Sequence, residues 1–383
     1  KYPGPGGYVV RSLNNPLADG HNAILVGSSD DAGMARAAEQ FAAVAADSAH
    51  EGSLSLGWTL RVELGEGWKV PTNANDPACM AWGSNKAPAT YFGWNSVGRN
   101  MAFYYMTGDE KFAREFLRLA FPDAKTIQEM WEVDGERIEI KEHPLAGSYH
   151  YCAHPMILLW DLIEESPVFS DEERLRVTQE FAGGPGHYHV PGSRFVGDRH
   201  GTYQSLMVYC RARYFDKYYP HPAWKAAMEG AAAHFASLAH TIHIDGRQDT
   251  PDSGHAYVNT GYEPLMSYML ISGDREGVES GMLGTILRGY DGLISGRPDD
   301  ATLGFQTLSF ANKAAYLTGD ARFIYYRNLT SARTDCFRIG QSFWPDQPER
   351  LERFSHAADA VAAKLADCGG CRGDFRFRSD SGL

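Results

Sequence analysis

Five short segments of this 383-residue chain gather side chains able to move protons and to bind an acidic group. They are Trp94-Asn95, Tyr149 to His154 with His150 between, Arg194 to Gln204, Asp249 to Tyr257, and Phe305-Gln306. Each stands at or just before the start of a helix-like run. Histidine titrates near neutrality, and a tyrosine becomes a base when a positive field lowers its pKa. Arginine, asparagine and glutamine hold a carboxylate by hydrogen bonds, charge-assisted in the case of arginine. Together these types suit β-elimination from a uronic acid. That reaction needs the C5 carboxylate neutralised, the C5 proton removed and the leaving glycosidic oxygen protonated. Arg199 and the positive ends of several helices would supply the field.

Other chemistries are harder to place. The chain has no Gly-x-Ser-x-Gly elbow and no His-Glu-x-x-His pair. His187 and His189 would face one way on a strand, but they sit in the Gly/Pro stretch GGPGHYHVPGS, which reads at least as well as a loop over a cleft. No metal and no cofactor is expected. VGSSDDAG follows a strand-like run but lacks the glycines of a dinucleotide fingerprint. Glycoside hydrolysis remains open, because it needs two carboxylates. Asp249, Asp252 and Glu263 lie in the fourth cluster, and Asp161 and Asp198 lie in or near others. Asp252 is the best placed as an acid, although a helix cap is its plainer role. A carbohydrate-binding module without chemistry is the third possibility.

The elements that must position these residues are announced by a repeated phrase: Thr107-Gly108-Asp109, Ser272-Gly273-Asp274 and Thr318-Gly319-Asp320. Each follows an aromatic, Met- or Leu-rich run and precedes a second amphipathic run. Glycine after a helix supplies the positive φ of a C-cap, and aspartate caps the helix that follows. The pattern therefore predicts helical hairpins, roughly 94–121, 154–182, 201–240, 256–289 and 304–333. Pro155, Ser170-Asp171 and Pro222 read as helix starts. Hairpins with apolar faces must bury against one another, which predicts a mainly α fold, an (α/α) toroid. The clusters would then share one end of it.

Residues 1–65 read differently, as a small α/β element. Strands are expected at Tyr8–Leu13, Asn22–Val26 and Thr59–Glu63, with a helix from Ala32 to Ala46. Residues 66–90 are rich in Gly, Pro, Asn and Ala and read as a linker, 91–345 as the toroid, and 346–383 as a helix followed by an irregular tail. Of six cysteines, Cys210 lies in an apolar run and is expected in the core; Cys368 and Cys371 form a lone C-x-x-C, read as a local disulfide or two thiols. Asn328-Leu-Thr330 is a glycosylation sequon by pattern, within a helix-like run. The net charge of −12 argues against nucleic acid as a partner. No run of apolar residues is long enough to span a membrane.

Arg199-His200-Gly201-Thr202-Tyr203-Gln204 at the head of a long helix, followed by Tyr257 in a Gly-rich helix start, resembles the toroid domain of heparinase II/III-like and alginate-type polysaccharide lyases. The resemblance covers about residues 90–335. It implies that His200 and Tyr257 are the catalytic pair and that Tyr149 and His150 share their cleft. Beside it, the residue types of the clusters make Arg199, Trp94, Asn95, Gln204, Tyr203, His255 and Gln306 the candidates to bind an acidic polysaccharide or oligosaccharide. A polysaccharide substrate places such a protein outside the cytoplasm, secreted or periplasmic. Two features depart from the family. Arg199 stands where an asparagine usually precedes the histidine, so carboxylate neutralisation would be ionic. The β-sandwich that follows the toroid has no counterpart after Pro345.

Overall fold

The computed structural model describes residues 3–17, 19–50, 53–67, 70, 95–132, 138–148, 150–183, 199–238, 263–284 and 313–320. Over these the chain is mostly helical, with a small antiparallel sheet at its N-terminal end.

β1 (Tyr8–Leu13), β2 (Ala23–Ser28) and β5 (Leu60–Glu63) form the sheet in the order β2-β1-β5. Both pairings are antiparallel, with Tyr8 opposite Ser28 on one side and Glu63 on the other. The expected α/β element is thus a helix packed on an antiparallel sheet. That helix, α1 (Asp31–Asp47), sets the fully buried Ala37 against Tyr8 and Val10. Asp30 caps it, accepting from Gly33 N–H, and also takes the Gly6 N–H at 2.7 Å. A carboxylate therefore fills the helix N-terminus after VGSSDDAG, where a phosphate would otherwise sit. A two-residue ladder, β3 (Ala49–His50) with β4 (Ser53–Leu54), follows; strands so short leave no periodicity to read.

The helical body comprises α2 (Ser96–Thr107), α3 (Glu110–Ala120), α4 (Ala124–Glu132), α5 (His150–Ile163), α6 (Asp171–Ala182), α7 (Arg199–Tyr218), α8 (Pro222–Leu238), α9 (Glu263–Ser272) and α10 (Glu276–Glu279). A further helical run covers 313–318. The repeated phrase makes the turn expected of it, with the same wiring each time. Gly108, Gly273 and Gly319 have φ of 70°, 74° and 74°, the left-handed region that L side chains avoid. The preceding hydroxyl donates to the carbonyl four residues back, at 2.6 to 2.7 Å. The same hydroxyl accepts the aspartate N–H at 3.1 to 3.2 Å. Asp109 and Asp274 carboxylates then take an N–H of the next helix.

Two sequence expectations need correction. Pro155 does not start a helix: α5 begins at His150, so the proline lies inside it. Its missing N–H removes one intrahelical bond, a loss that the buried face of α5 outweighs. Helix α4 was not expected as a separate element. It is held to α3 by Arg118, which donates to Glu129 at 2.9 Å and to Thr126 at 2.8 Å. The other two start signals hold. Ser170 and Glu173 form a reciprocal capping box, and Pro222 is the first residue of α8.

The core is aromatic. Phe116, Phe169 and Trp160 pack mutually at 5.3 to 6.1 Å between ring centroids, and Phe103 meets Phe112 edge-on at 5.2 Å. Cys210 is buried here as expected, and burial pushes its thiol up to about 12, so it serves as a small apolar side chain. The sheet docks onto this body through Trp58, Leu60 and Leu64. The Arg11 guanidinium lies 3.8 Å above the Tyr105 ring, and Leu60 reaches the turn at Gly108. No helix among the described residues is long and apolar enough to cross a membrane.

Candidate functional site

The first helices of successive hairpins lie side by side in chain order: α2 against α5, α5 against α7, and α7 against α9. The first three run the same way. Near their starts, Asn95 donates to Ser148 at 2.7 Å, and the rings of His154 and Tyr203 approach to 5.9 Å. Near their ends, Tyr104 bonds Ser166 at 2.5 Å, and Tyr214 donates to Glu164 at 2.5 Å. The N-termini of α2, α5 and α7 therefore share one end of the body. At that end stand Asn95, His150 and the Arg199-His200 pair, at the starts of α2, α5 and α7.

Beneath this end runs a buried polar layer. Arg99 and Asn100 come from α2, Thr202 and Ser205 from α7, Ser267 from α9, and Lys313 from the helical run 313–318. All belong to the first helix of a hairpin, and most lie within its first two turns. Lys313, only 3% exposed, donates to Ser267 Oγ at 2.9 Å. Asn100 donates to Ser96 O at 2.8 Å and Ser205 to Gly201 O at 2.8 Å. Among the described residues the buried charged side chains are Arg11, Arg99, Lys141, Lys313 and Glu164. Four of the five are cationic, in a chain of net charge −12. Among the described residues the buried charged side chains of this layer are Arg99 and Lys313. The helix N-termini above it favour an anion.

The individual residues fall into three groups. Asn95 is fully buried as the cap of α2: its amide oxygen accepts from Gly98 N–H at 3.0 Å while its nitrogen bonds Ser148. Tyr203, 2% exposed, packs within the layer, and Gln204 beside it is half-buried. The first two thus shape the end rather than line its surface. His150, Arg199 and His200 are placed by their backbone at the starts of α5 and α7. Trp94, Tyr149, His255, Tyr257 and Gln306 lie outside the described residues, as do Asp198, Asp249, Asp252, His187, His189, Asn328, Cys368 and Cys371. Tyr8, Tyr104, Tyr209, Tyr214, Tyr218 and Tyr268 are all shifted upward in pKa, each chiefly by burial. None of these is poised as a base. Among the described residues no group of three or more His, Cys, Asp or Glu side chains is arranged to hold a metal.

The opposite end carries a second polar cluster that the sequence reading did not find. Asp161, weighed above as a hydrolase carboxylate, is there at the end of α5. It pairs with Lys217 Nζ at 3.0 Å and accepts from Tyr218 OH at 2.6 Å. Asn14, from the strand side, donates to Tyr218 OH at 3.2 Å and so ties the sheet to the body. Next to it Glu164, 8% exposed, is raised to about 7 by burial, with the Asp161 and Glu165 carboxylates pushing the same way. The local signal exists. Asp161 near the end of α5 and Glu164 just past it stand three apart, and Tyr214, Lys217 and Tyr218 stand three and four apart on α7, so each set falls on one side. Nothing local says that the two faces meet.

Compared with protein-family models, curated protein sequences and solved structures, the chain matches none.

Proposed function

We propose that this chain is a polysaccharide lyase that cleaves uronic-acid-containing glycans by β-elimination. In this reading the hairpins form an (α/α) toroid, and the substrate lies across the starts of its first helices. His200 and Tyr257 carry the proton transfers, with Tyr149 and His150 beside them. The base removes the C5 proton, the freed electron pair forms the C4–C5 double bond, and the C4–O bond breaks as the leaving oxygen is protonated. Arg199 neutralises the C5 carboxylate, which makes that proton acidic enough to leave. Trp94, Gln204, His255 and Gln306 hold neighbouring sugar units, while Asn95 and Tyr203 fix the helix starts from within.

The observation that carries this reading is the gathering of the helix starts at one end of neighbouring helices, above a layer whose buried charged side chains among the described residues are Arg99 and Lys313. An acidic substrate fits such an end. The alternative, hydrolysis by paired carboxylates such as Asp252, is separated by its products. The test is incubation with a panel of uronic-acid polysaccharides, following the ultraviolet absorbance of an unsaturated product. Growth of that absorbance supports the lyase. New reducing ends without it favour the hydrolase, and binding without either favours a module with no chemistry.

A further inference from the structure

A cavity of about 340 Å³ opens between the sheet and the helical body, at the end away from the proposed cleft. Its walls come from three places. Ser12 and Asn14 stand at the end of β1, Asn22 stands just before β2, and Trp58 lies on the approach to β5. Glu165, just past α5, closes the fourth side. The volume lies at the small end of ligand pockets, which span roughly 300–1,000 Å³, and suits a mono- or disaccharide.

We propose that this cavity binds a non-acidic pyranose unit, with an amino sugar preferred over a neutral one. Trp58 packs its body against the core and keeps part of its surface in the cavity wall, a flat platform for the C–H face of a sugar ring. The polar groups around it without a partner among the described residues include the Trp58 indole N–H, the Asn22 amide nitrogen, the Asn14 amide oxygen and the Glu165 carboxylate. The Asn22 amide oxygen is already used, accepting from Asn15 N–H at 2.9 Å. That set offers donors together with acceptors, one of them anionic, which matches hydroxyls and an ammonium.

The charge around the cavity decides the class. Glu165 lines it, and Asp161 and Glu164 stand behind it. The facing cation, Lys217, is held at 3.0 Å by Asp161 and is not free to bind a ligand anion. The one charged side chain among the described residues that line it is the Glu165 carboxylate, which disfavours sugar carboxylates, sulfates and phosphates. A glycan carrying both residue types could thus be held at two separated places. The proposal does not depend on lyase chemistry: Tyr257→Phe should leave binding here intact.

The test is calorimetric titration of the full chain with tetraglucosamine, cellotetraose and an oligogalacturonate. The wild type should bind tetraglucosamine more tightly than cellotetraose. Glu165→Gln, at an exposed position that does not threaten folding, should weaken tetraglucosamine by about tenfold and leave cellotetraose unchanged. Trp58→Ala should abolish both, with a thermal melt confirming that the variant is folded. If that variant does not fold, Glu165→Gln alone decides. The proposal is overturned if neither non-acidic oligomer binds, if both bind equally well to the variants, or if the oligogalacturonate is the ligand that Glu165→Gln and Trp58→Ala weaken.

Discussion

The two ends of the helical body are built from the same helices and differ in their polar groups. Towards the starts of α2, α5 and α7 the buried polar residues, among those described, are amides, hydroxyls and cations; at their ends Asp161, Glu164, Lys217, Tyr214 and Tyr218 pair among themselves. At the far end each of these five groups has a named partner, and the sheet is docked onto the result. A satisfied ionic cluster rigidifies an interface, whereas helix N-termini gathered at one end present a field that favours an anion. The proposed chemistry is therefore placed at the helix starts, where His200 stands.

The sharpest break of this contrast is kinetic. Tyr257→Phe should lower turnover on a uronic-acid polysaccharide by about 10²–10⁴-fold, the usual worth of a positioned proton-transfer group, with substrate binding retained. Unchanged turnover would remove the assignment of the helix starts. Tyr218→Phe, at the other end, should leave turnover per folded molecule as it is.

Glu164 gives the next largest effect, and it is a function of pH. Its carboxyl sits at about 7 in the folded chain against 4.5 ordinarily, so the folded state holds the proton more tightly. The stability this contributes is fully present below the ordinary value and is lost as pH rises through about 7, at most ~3 kcal/mol in all. Urea melts of the wild type should fall across that window, and Glu164→Gln should flatten the fall. A variant as pH-sensitive as the wild type would show that the buried carboxyl is not the source.

Asp161→Ala leaves Lys217 without its partner at a position about nine-tenths buried. Allowing for the solvent that still reaches the pair, the cost should be ~2 kcal/mol, read as a lower urea midpoint. Removing both partners, as Asp161→Leu with Lys217→Met, should cost less than Asp161→Ala alone. If the double variant is the weaker, the cluster contributes net binding between sheet and body rather than mere satisfaction.

The smallest effect concerns the turns. Gly273→Ala forces an alanine into the left-handed region at φ 74° and should cost about 1 kcal/mol. Equal stability would mean that the turn relaxes, and with it the equivalence of the three copies.

Features written in a few neighbouring residues were legible. A Gly in the left-handed region, an Asp beside it, the Ser170–Glu173 box and Pro222 each act within one turn, so the sequence alone places them. Pro155 misled because a proline is a local signal, while the extent of α5 is set by what its apolar face buries. Asn95 was legible as a helix start, but its bond to Ser148 spans 53 positions and no local pattern announces it. The Asp161 cluster was invisible for the same reason: its halves are correctly spaced on two helices, and only packing brings them together. The helix starts that were expected to carry the site were readable as places, and their polar layer, drawn from three first helices and the run 313–318, was not.

The tight turns have one more consequence, which concerns where this chain can change length. Helix partners are joined by short connectors at the sheet end, residues 108–109, 164–170, 219–221 and 273–275, whose hydrogen bonds and packing leave no slack. The connection from α3 to α5 is longer, carries α4, and begins and finishes at the other end. Insertions and deletions there outside α4 leave the register of the paired helices untouched. Descendants of this chain are thus free to vary in what they accept at one end while the other end holds the helices in register.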